Sequence, residues 1–496
     1  MDDFKLPISK EKLDGFAEKA KKASEKINEY IKTLDKVTDV KTIKNLLKVS
    51  KALNGISYSL AAVGVVFGII SFFSNEKSDT EIILEAIEKV SAKIDQLENA
   101  MLDQFKKLEG IIREQAALTQ LQQHLNSLST LQDDIEIYYK SIEKDDETLQ
   151  EQAKNDLLEY DIKTIREAAK AIENQATGKN LATNLFDAIY YTSYGNIRTI
   201  NQLGAFLKLR VSFAMTAEVL IKTLKEDDIS DETLEAINKD ADEFYHSKME
   251  NVFNAWERKV NLCLNDYMSN LKRKVNAEWK QPYILISPNY ADLCEGLVKM
   301  LKEHWFWRDW AVVIYDGVGG WDHHAMVGGS FWWIDERKTF YKNIIIHSVD
   351  STTEARGKNV DTIVRFKKEP ILNPVFKNYH QEEYIENGRP GEFKDREYDD
   401  NNPNYGREIT KEGIIWWGEN LMTPIELLNM LKDPDDKINF NIAYGCLVGP
   451  GTKIASRASN PDRLLHKEGN DNTLRNKFHT NSRHDHAMKY NFIIHW

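Results

Sequence analysis

The residues best suited to chemistry fall in two places. Asp316, Asp322, His323 and His324 lie in a glycine-rich stretch after a β-branched run, and His479, His484, Asp485 and His486 lie near the C-terminus. Imidazoles beside carboxylates are the donor set of a transition-metal site. Adjacent histidines on an extended strand point to opposite faces, however, so His323 and His324 do not easily share one ion. Turn residues packed on Trp321 are the plainer account of that stretch. His484 and His486 would share a strand face, but with His479 their spacing fits no defined zinc motif, and solvated loop histidines explain them as well. The sequence holds no Gly-x-Ser-x-Gly, P-loop or His-Glu-x-x-His. The Gly317-x-Gly319-Gly320 turn lacks the third glycine of a G-x-G-x-x-G pattern and the following helix of a dinucleotide site. The expectation is no enzyme, no metal and no cofactor.

Aromatic residues offer a second chemistry. Trp332-Trp333 and Trp416-Trp417 are consecutive pairs. On a strand, one ring of each pair would face outward, where tryptophan stacks on sugars or settles at a lipid interface. The rings could equally fill a sheet core. Carbohydrate or lipid-headgroup recognition is the working expectation for these four residues.

The elements that would position such residues divide sharply near Lys280-Gln281-Pro282. Of eleven prolines only Pro7 precedes this point, and of eleven tryptophans only Trp256 and Trp279 do. Proline and glycine punctuate turns and are excluded from helix interiors, so long helices should come first and strands and loops second. Apolar residues at Ile83, Ile87, Val90, Ile94, Leu97, Met101, Phe105 and Leu108 keep one stripe toward a partner helix. This stripe is the expected helix-packing and oligomerisation surface, with a helix start at Asp79-Thr80-Glu81. A second stripe runs from Phe244 through Met249, Val252, Trp256, Val260, Leu264, Tyr267 and Leu271 to Val275, and Leu118–Leu131 and Leu203–Leu224 also read as helical. Five to seven helices in an elongated bundle are expected over 1–280.

Past that break, Tyr283–Ser287, Ala311–Tyr315, Asn343–Val349, Thr362–Phe366 and Tyr490–His495 read as short strands, Tyr290–Glu303 as a helix, and Glu382–Arg407 as a long polar loop. The predicted fold class is thus α+β and multidomain. An N-terminal all-α bundle with a buried hydrophobic helix precedes a mainly β binding domain over 283–496.

One segment stands apart. From Ala52 to Asn75 there is no charged residue, and Ile56–Phe73 is apolar or small at nearly every position. About 20 such residues let a helix cross the roughly 30 Å hydrocarbon core. Lys41, Lys44, Lys48 and Lys51 flank it upstream, while Glu76, Lys77, Asp79 and Glu81 follow it; such asymmetry suits oriented insertion. The residues expected to meet lipid are Ile56, Leu60, Val63, Gly64, Val66, Phe67, Gly68, Ile69, Ile70, Phe72 and Phe73. Gly64 and Gly68 are spaced for close helix approach in lipid, a weak signal alone. A helix apolar all round could instead be the centre of a soluble bundle, and a permanent single-pass anchor is a third reading. The long downstream stripes need helical partners, and this segment is a natural one to bury. A segment that is core in one state and lipid-facing in another satisfies both demands.

The order of parts also resembles a known group. An apolar segment, a heptad helix over Ile82–Arg113, further helices, and then Trp307-Arg308-Asp309-Trp310 running to Tyr315 and on through Gly320-Trp321-Asp322-His323-His324-Ala325 resemble the rapunzel-like and cephalotoxin-like proteins and, more distantly, the jellyfish toxins. The architectural likeness covers most of residues 40–350; the motif likeness covers the tract from Trp307 to Ala325. The resemblance implies an oligomerising, membrane-active helical part followed by a recognition domain, and carries over no catalytic residue. It supports the fold better than a killing function. Residues after Thr353 match nothing in the group.

These readings converge on a pore-forming, cytolysin-like protein whose partners are a lipid membrane, a glycan or headgroup receptor, and further copies of itself. The alternative is a non-lytic helical scaffold. A net charge of -12 over 496 residues argues against nucleic acid. Cys263, Cys294 and Cys446 are too few for a disulfide framework and read as buried thiols, with one disulfide left open. The first 30 residues lack an apolar signal core. The expected localisation is release in soluble form and then the target membrane, with a cytoplasmic alternative.

Overall fold

The computed structural model describes residues 18, 22, 25–26, 29–54, 77–109, 115–144, 146–179, 184–226, 230–278, 289–316, 323–327, 330–335, 342–351, 407–410, 413–416, 443–449, 454–471 and 488–495. The described chain is mostly helical, with antiparallel sheet after the helices, and it divides into two compact units, Met1–Asn270 and Leu271–Trp496.

The first unit is built from α1 (Val40–Asn54), α2 (Lys77–Glu109), α3 (Gln115–Glu143), α4 (Glu147–Leu158), α5 (Ile162–Thr177), α6 (Leu185–Thr192), α7 (Ile197–Lys225) and α8 (Asp231–Asn265), followed by α9 (Tyr267–Glu278) across the division. The described helices outnumber the five to seven expected. The reason is local capping. Asp146, Asp161, Asn184, Asn196 and Ser230 each turn a side-chain oxygen back onto an amide of the next helix's first turn. Each cap satisfies an otherwise orphaned donor and so starts a new helix where apolar spacing alone suggests continuity. The stripe from Phe244 to Val275 is likewise split at Asp266, between α8 and α9. Helix α2 begins at Lys77, two residues before the expected start.

The helix buried on every side is α7. From Leu203 to Met215 all its residues are buried, with Gly204 laid against the indole of Trp256 on α8. An ideal Cβ at Gly204 would come within 2.2 Å of that ring, so only glycine permits this approach. The indole N–H donates to Asn201 Oδ1 at 3.0 Å. On α2, Ile94, Leu97, Met101, Phe105 and Leu108 are buried.

In the second unit α10 (Tyr290–His304) precedes β1 (Arg308–Asp316), β2 (His323–Val327), β3 (Ser330–Asp335), β4 (Lys342–Asp350), β5 (Arg407–Thr410), β6 (Gly413–Trp416), β7 (Ala443–Gly449), β8 (Ile454–Ala458), β9 (Leu464–Asp471) and β10 (Met488–His495). They form two antiparallel sheets, ordered β3-β4-β1-β8 and β5-β6-β2-β7-β10-β9. Strand β1 is buried on both faces, which is why Ala311–Tyr315 is a continuous apolar run rather than an alternating one. Helix α10 packs on β1 and β8. Val313, Tyr315 and Ile345 of the first sheet pack against Ile493 of the second. The stretches Tyr283–Ser287, Thr362–Phe366 and most of Glu382–Arg407 lie outside the described residues.

Candidate functional site

Helix α7 is central but not purely apolar. Lys208, Arg210 and Glu218 are within its buried residues, and each is held by a different part of the bundle. A buried charge without a partner is prohibitively expensive, so the side chains that meet these three show which helices α7 grips.

Lys208 reaches α1. Its ammonium donates to the Ser50 carbonyl and to Ser50 Oγ at 3.2 Å, and lies 5.2 Å from the centre of the Phe253 ring. No carboxylate bonds to it among the described residues, and burial pushes its pKa down to about 7. The lysine is therefore largely stripped of its usual preference for the charged form.

Arg210, fully buried, reaches α2 and α3. Its guanidinium donates to Glu98 on α2, and to Ser129 Oγ at 2.7 Å and Gln132 Oε1 at 3.0 Å on α3. Gln132 in turn donates to Asp95 Oδ1 at 3.0 Å. A planar fork of donors suits this three-way contact in a way an ammonium would not.

Glu218 reaches α5 and α8. Arg166 grips it with Nε at 2.9 and 3.1 Å and Nη2 at 2.6 Å, Lys222 approaches to 2.6 Å, and the Tyr245 hydroxyl donates at 2.9 Å. Asp240, half exposed, takes a second Arg166 bond at 2.5 Å and one from Lys222. Two carboxylates and two cations thus cancel. Burial alone would raise the Asp240 pKa, but the bonds and charges of Lys222 and Arg166 hold it below the ordinary range. Arg166 is held more firmly protonated than usual, first by its hydrogen bonds to Glu218.

Together these contacts make α7 a polar latch joining α1, α2, α3, α5 and α8. Its position relative to the apolar segment matters most. Ser50 lies four residues before Asn54, the end of α1, and Glu98 lies on α2, which begins at Lys77. Lys208 and Arg210 therefore hold both flanks of the stretch between α1 and α2. That stretch contains Ile56–Phe73, and all the residues expected to meet lipid lie outside the described residues. Among the described residues no helix is long and apolar enough to cross a membrane.

The other sequence-selected residues scatter. Ile94, Leu97 and Met101 are buried inside the chain, so the stripe expected to oligomerise packs internally here; Ile83, Ile87 and Val90 lie on the same helix. Trp332 and Trp333 stand on β3 in register with Ile346 and Ile345, Trp416 ends β6, and Trp417 lies outside the described residues. His323 and His324 occupy adjacent positions of β2, and Asp316 ends β1. Asp322, His479, His484, Asp485 and His486 lie outside the described residues. Among the described residues no three His, Cys, Asp or Glu side chains gather as metal ligands would. Cys263 and Cys294 are free buried thiols pushed up to about 12 by burial, and Cys446 lies on β7 in register with Phe492.

The tract Trp307-Arg308-Asp309-Trp310 acts as a fastening. Arg308 donates to the Ser348 carbonyl at 3.1 Å on β4, Asp309 binds Lys302 at 3.0 Å and Arg463 at 2.7 Å, and Trp310 lies tilted against Trp305 with ring centres 5.8 Å apart. No family model, curated protein or solved structure matches the chain.

Sequence reading alone does not single out Lys208, Arg210 or Glu218. The available signal was their place inside the apolar run Leu203–Leu224, where a solvated face would have shown charges at helical spacing.

Proposed function

We propose that this chain is a membrane-permeabilising protein whose helical unit opens to release Ile56–Phe73 into a bilayer. The observation that supports it best is the arrangement of the α7 latch around the flanks of that segment. Polar contacts of this kind are poor stabilisers compared with apolar packing of equal volume, because each charge has already lost its hydration. Once helices part and water enters, the charges are resolvated, so the closed state gives up less on opening than an all-apolar core would. A bundle built this way closes specifically and can still open.

In this reading α7 stays out of the membrane, since Lys208, Arg210 and Glu218 would each cost about 2.5–3.5 kcal/mol near the bilayer centre. Helix α2, with its stripe exchanged from intrachain to intersubunit contacts, becomes the lining and oligomerisation element. Residues 283–496 form a mainly β domain that binds a glycan or lipid headgroup, with Trp332, Trp333, Trp416 and Trp417 as contacts. The protein is released in soluble form and acts at the target membrane.

The burial of Ile94, Leu97 and Met101 favours a second reading, a non-lytic helical scaffold that never opens. The two separate on one experiment. Dye-loaded vesicles, prepared with and without sterol and glycolipid, are mixed with the wild-type chain and with Gly64→Asp. A pore-former releases dye with a steep concentration dependence, and the variant binds vesicles but releases none. Equal release by both proteins overturns the role of Ile56–Phe73. Absence of release and of vesicle binding across these lipids favours the scaffold.

A further inference from the structure

A pair of buried histidines, His347 on β4 and His495 on β10, sits where the two sheets of the second unit face each other. Their Nδ1 atoms are 2.7 Å apart, their ring planes are perpendicular, and the rings are 3% and 2% exposed. The sequence separates them by 148 positions, and neither belongs to the histidine clusters near Asp322 or Asp485.

The contact fixes a protonation state. One Nδ1 must carry a hydrogen and the other must be bare, so the two rings share a single proton at that point. Among the described residues, neither Nε2 atom has a hydrogen-bond partner. A second proton has two places to go. On the bare Nδ1 it sets two N–H groups head to head; on a free Nε2 it makes an imidazolium with no acceptor. Either product breaks or strands the pair.

The charged surroundings do not offset this. The charges that act on the rings are Arg308 and Asp309 of β1 and Arg463 of the turn before β9; Lys302 of α10 is bonded to Asp309, and His466 on β9 is engaged with Ser456 of β8 at 2.7 Å. Among the described residues Asp309 is the one carboxylate that acts on the pair. Its oxygens are already taken by Lys302, Arg463 and Ser459, and it is bonded to neither ring. The neighbouring cations outnumber it.

We propose that His347 and His495 form an acid-sensitive lock between the two sheets, closed while both rings are neutral and released when they take up protons. The inference does not depend on the membrane reading. Burial first, and then the other histidine and Arg308, hold His347 well below the ordinary histidine range. His495 is pushed down to about 3, mainly by burial. The sign follows from linkage. A base whose pKa is lowered in the closed state leaves the open state to bind protons first. Closure is thus favoured above about pH 6.5 and weakens as pH falls toward 3. Each histidine raises the open fraction about tenfold per pH unit below 6.5, so the pair gives roughly a thousandfold between pH 7.5 and 5.0.

The test is amide hydrogen exchange of β4 and β10 in the full chain at pH 7.5 and 5.0, corrected for the intrinsic effect of pH, alongside a titration of histidine Cε1 resonances by NMR. Opening of β4 and β10 should rise by about three orders of magnitude, while the His347 and His495 resonances hold their neutral positions down to pH 5. In the His347→Gln/His495→Gln variant the rise should shrink to less than tenfold. A midpoint of 6 or above for either histidine, or unchanged wild-type opening, overturns the proposal. Both of those readings use the native chain, so they decide the matter even if the variant does not fold.

Discussion

The two units solve the same problem in opposite ways. Each buries polar groups at the place where its layers meet. In the helical unit the groups are charged and matched, Glu218 against Arg166 and Lys222, and Arg210 against Glu98. In the strand-bearing unit His347 and His495 are held neutral by burial and, among the described residues, are matched only to each other. A matched ion pair is indifferent to mild acid but intolerant of losing one partner. A neutral buried base tolerates the loss of its partner better but is vulnerable to protons. The first unit should therefore respond to mutation and to solvent entry, and the second to pH.

The largest expected effect probes the first half of that contrast. Glu218→Gln leaves Arg166 and Lys222 with the half-exposed Asp240 as their remaining carboxylate among the described residues, and should cost about 3 kcal/mol in denaturant unfolding of the full chain. A loss below about 1 kcal/mol would mean the carboxylate is not the keystone of α7. Second in size is Lys208, the exception within the helical unit because it is buried without a carboxylate. Its folded pKa of about 7 lies under the ordinary 10.5. Between those values the unfolded chain holds the proton more tightly, so stability should rise with pH, by about 1 kcal/mol per unit. Lys208→Met should flatten this rise. An unchanged slope would show that Lys208 keeps its charge in the fold.

Gly204→Ala tests packing rather than charge. The added methyl meets the Trp256 ring, and overpacking of this kind should cost about 1–3 kcal/mol and shift the emission of that tryptophan. The smallest effect belongs to Ser50→Ala, which removes one of the two acceptors from Lys208 but leaves the carbonyl. About 0.5–1.5 kcal/mol is expected from thermal unfolding.

Much of the helical arrangement was legible. The heptad stripe from Ile83 to Leu108 falls within α2, and Leu118–Leu131 and Leu203–Leu224 fall inside α3 and α7. Tyr290–Glu303, Ala311–Tyr315, Asn343–Val349 and Tyr490–His495 correspond to α10, β1, β4 and β10. Periodicity reads these because it reports burial of one face directly. It could not rank helices by depth. Charged residues within Leu203–Leu224 look like interruptions until distant partners such as Arg166 for Glu218 and Ser50 for Lys208, 52 and 158 positions away, are known. Capping residues such as Asp146 and Asn184 were visible as types, but nothing local distinguishes a cap from an exposed polar residue. The histidine pair shows the same limit. Alternation puts His347 on the face of Ile345, and His495 on the face of Ile493, yet only the packing of two sheets brings those faces together.

Opening of the bundle is read most directly on α7 itself. Amide exchange along Ile197–Lys225 would be recorded for the full chain free and bound to sterol- and glycolipid-containing vesicles. A bundle that opens gives strong protection in the free protein and marked loss of it on vesicles that leak, as the latches at Lys208, Arg210 and Glu218 give way. Leakage with α7 protection intact would contradict opening of the bundle as the route to the membrane.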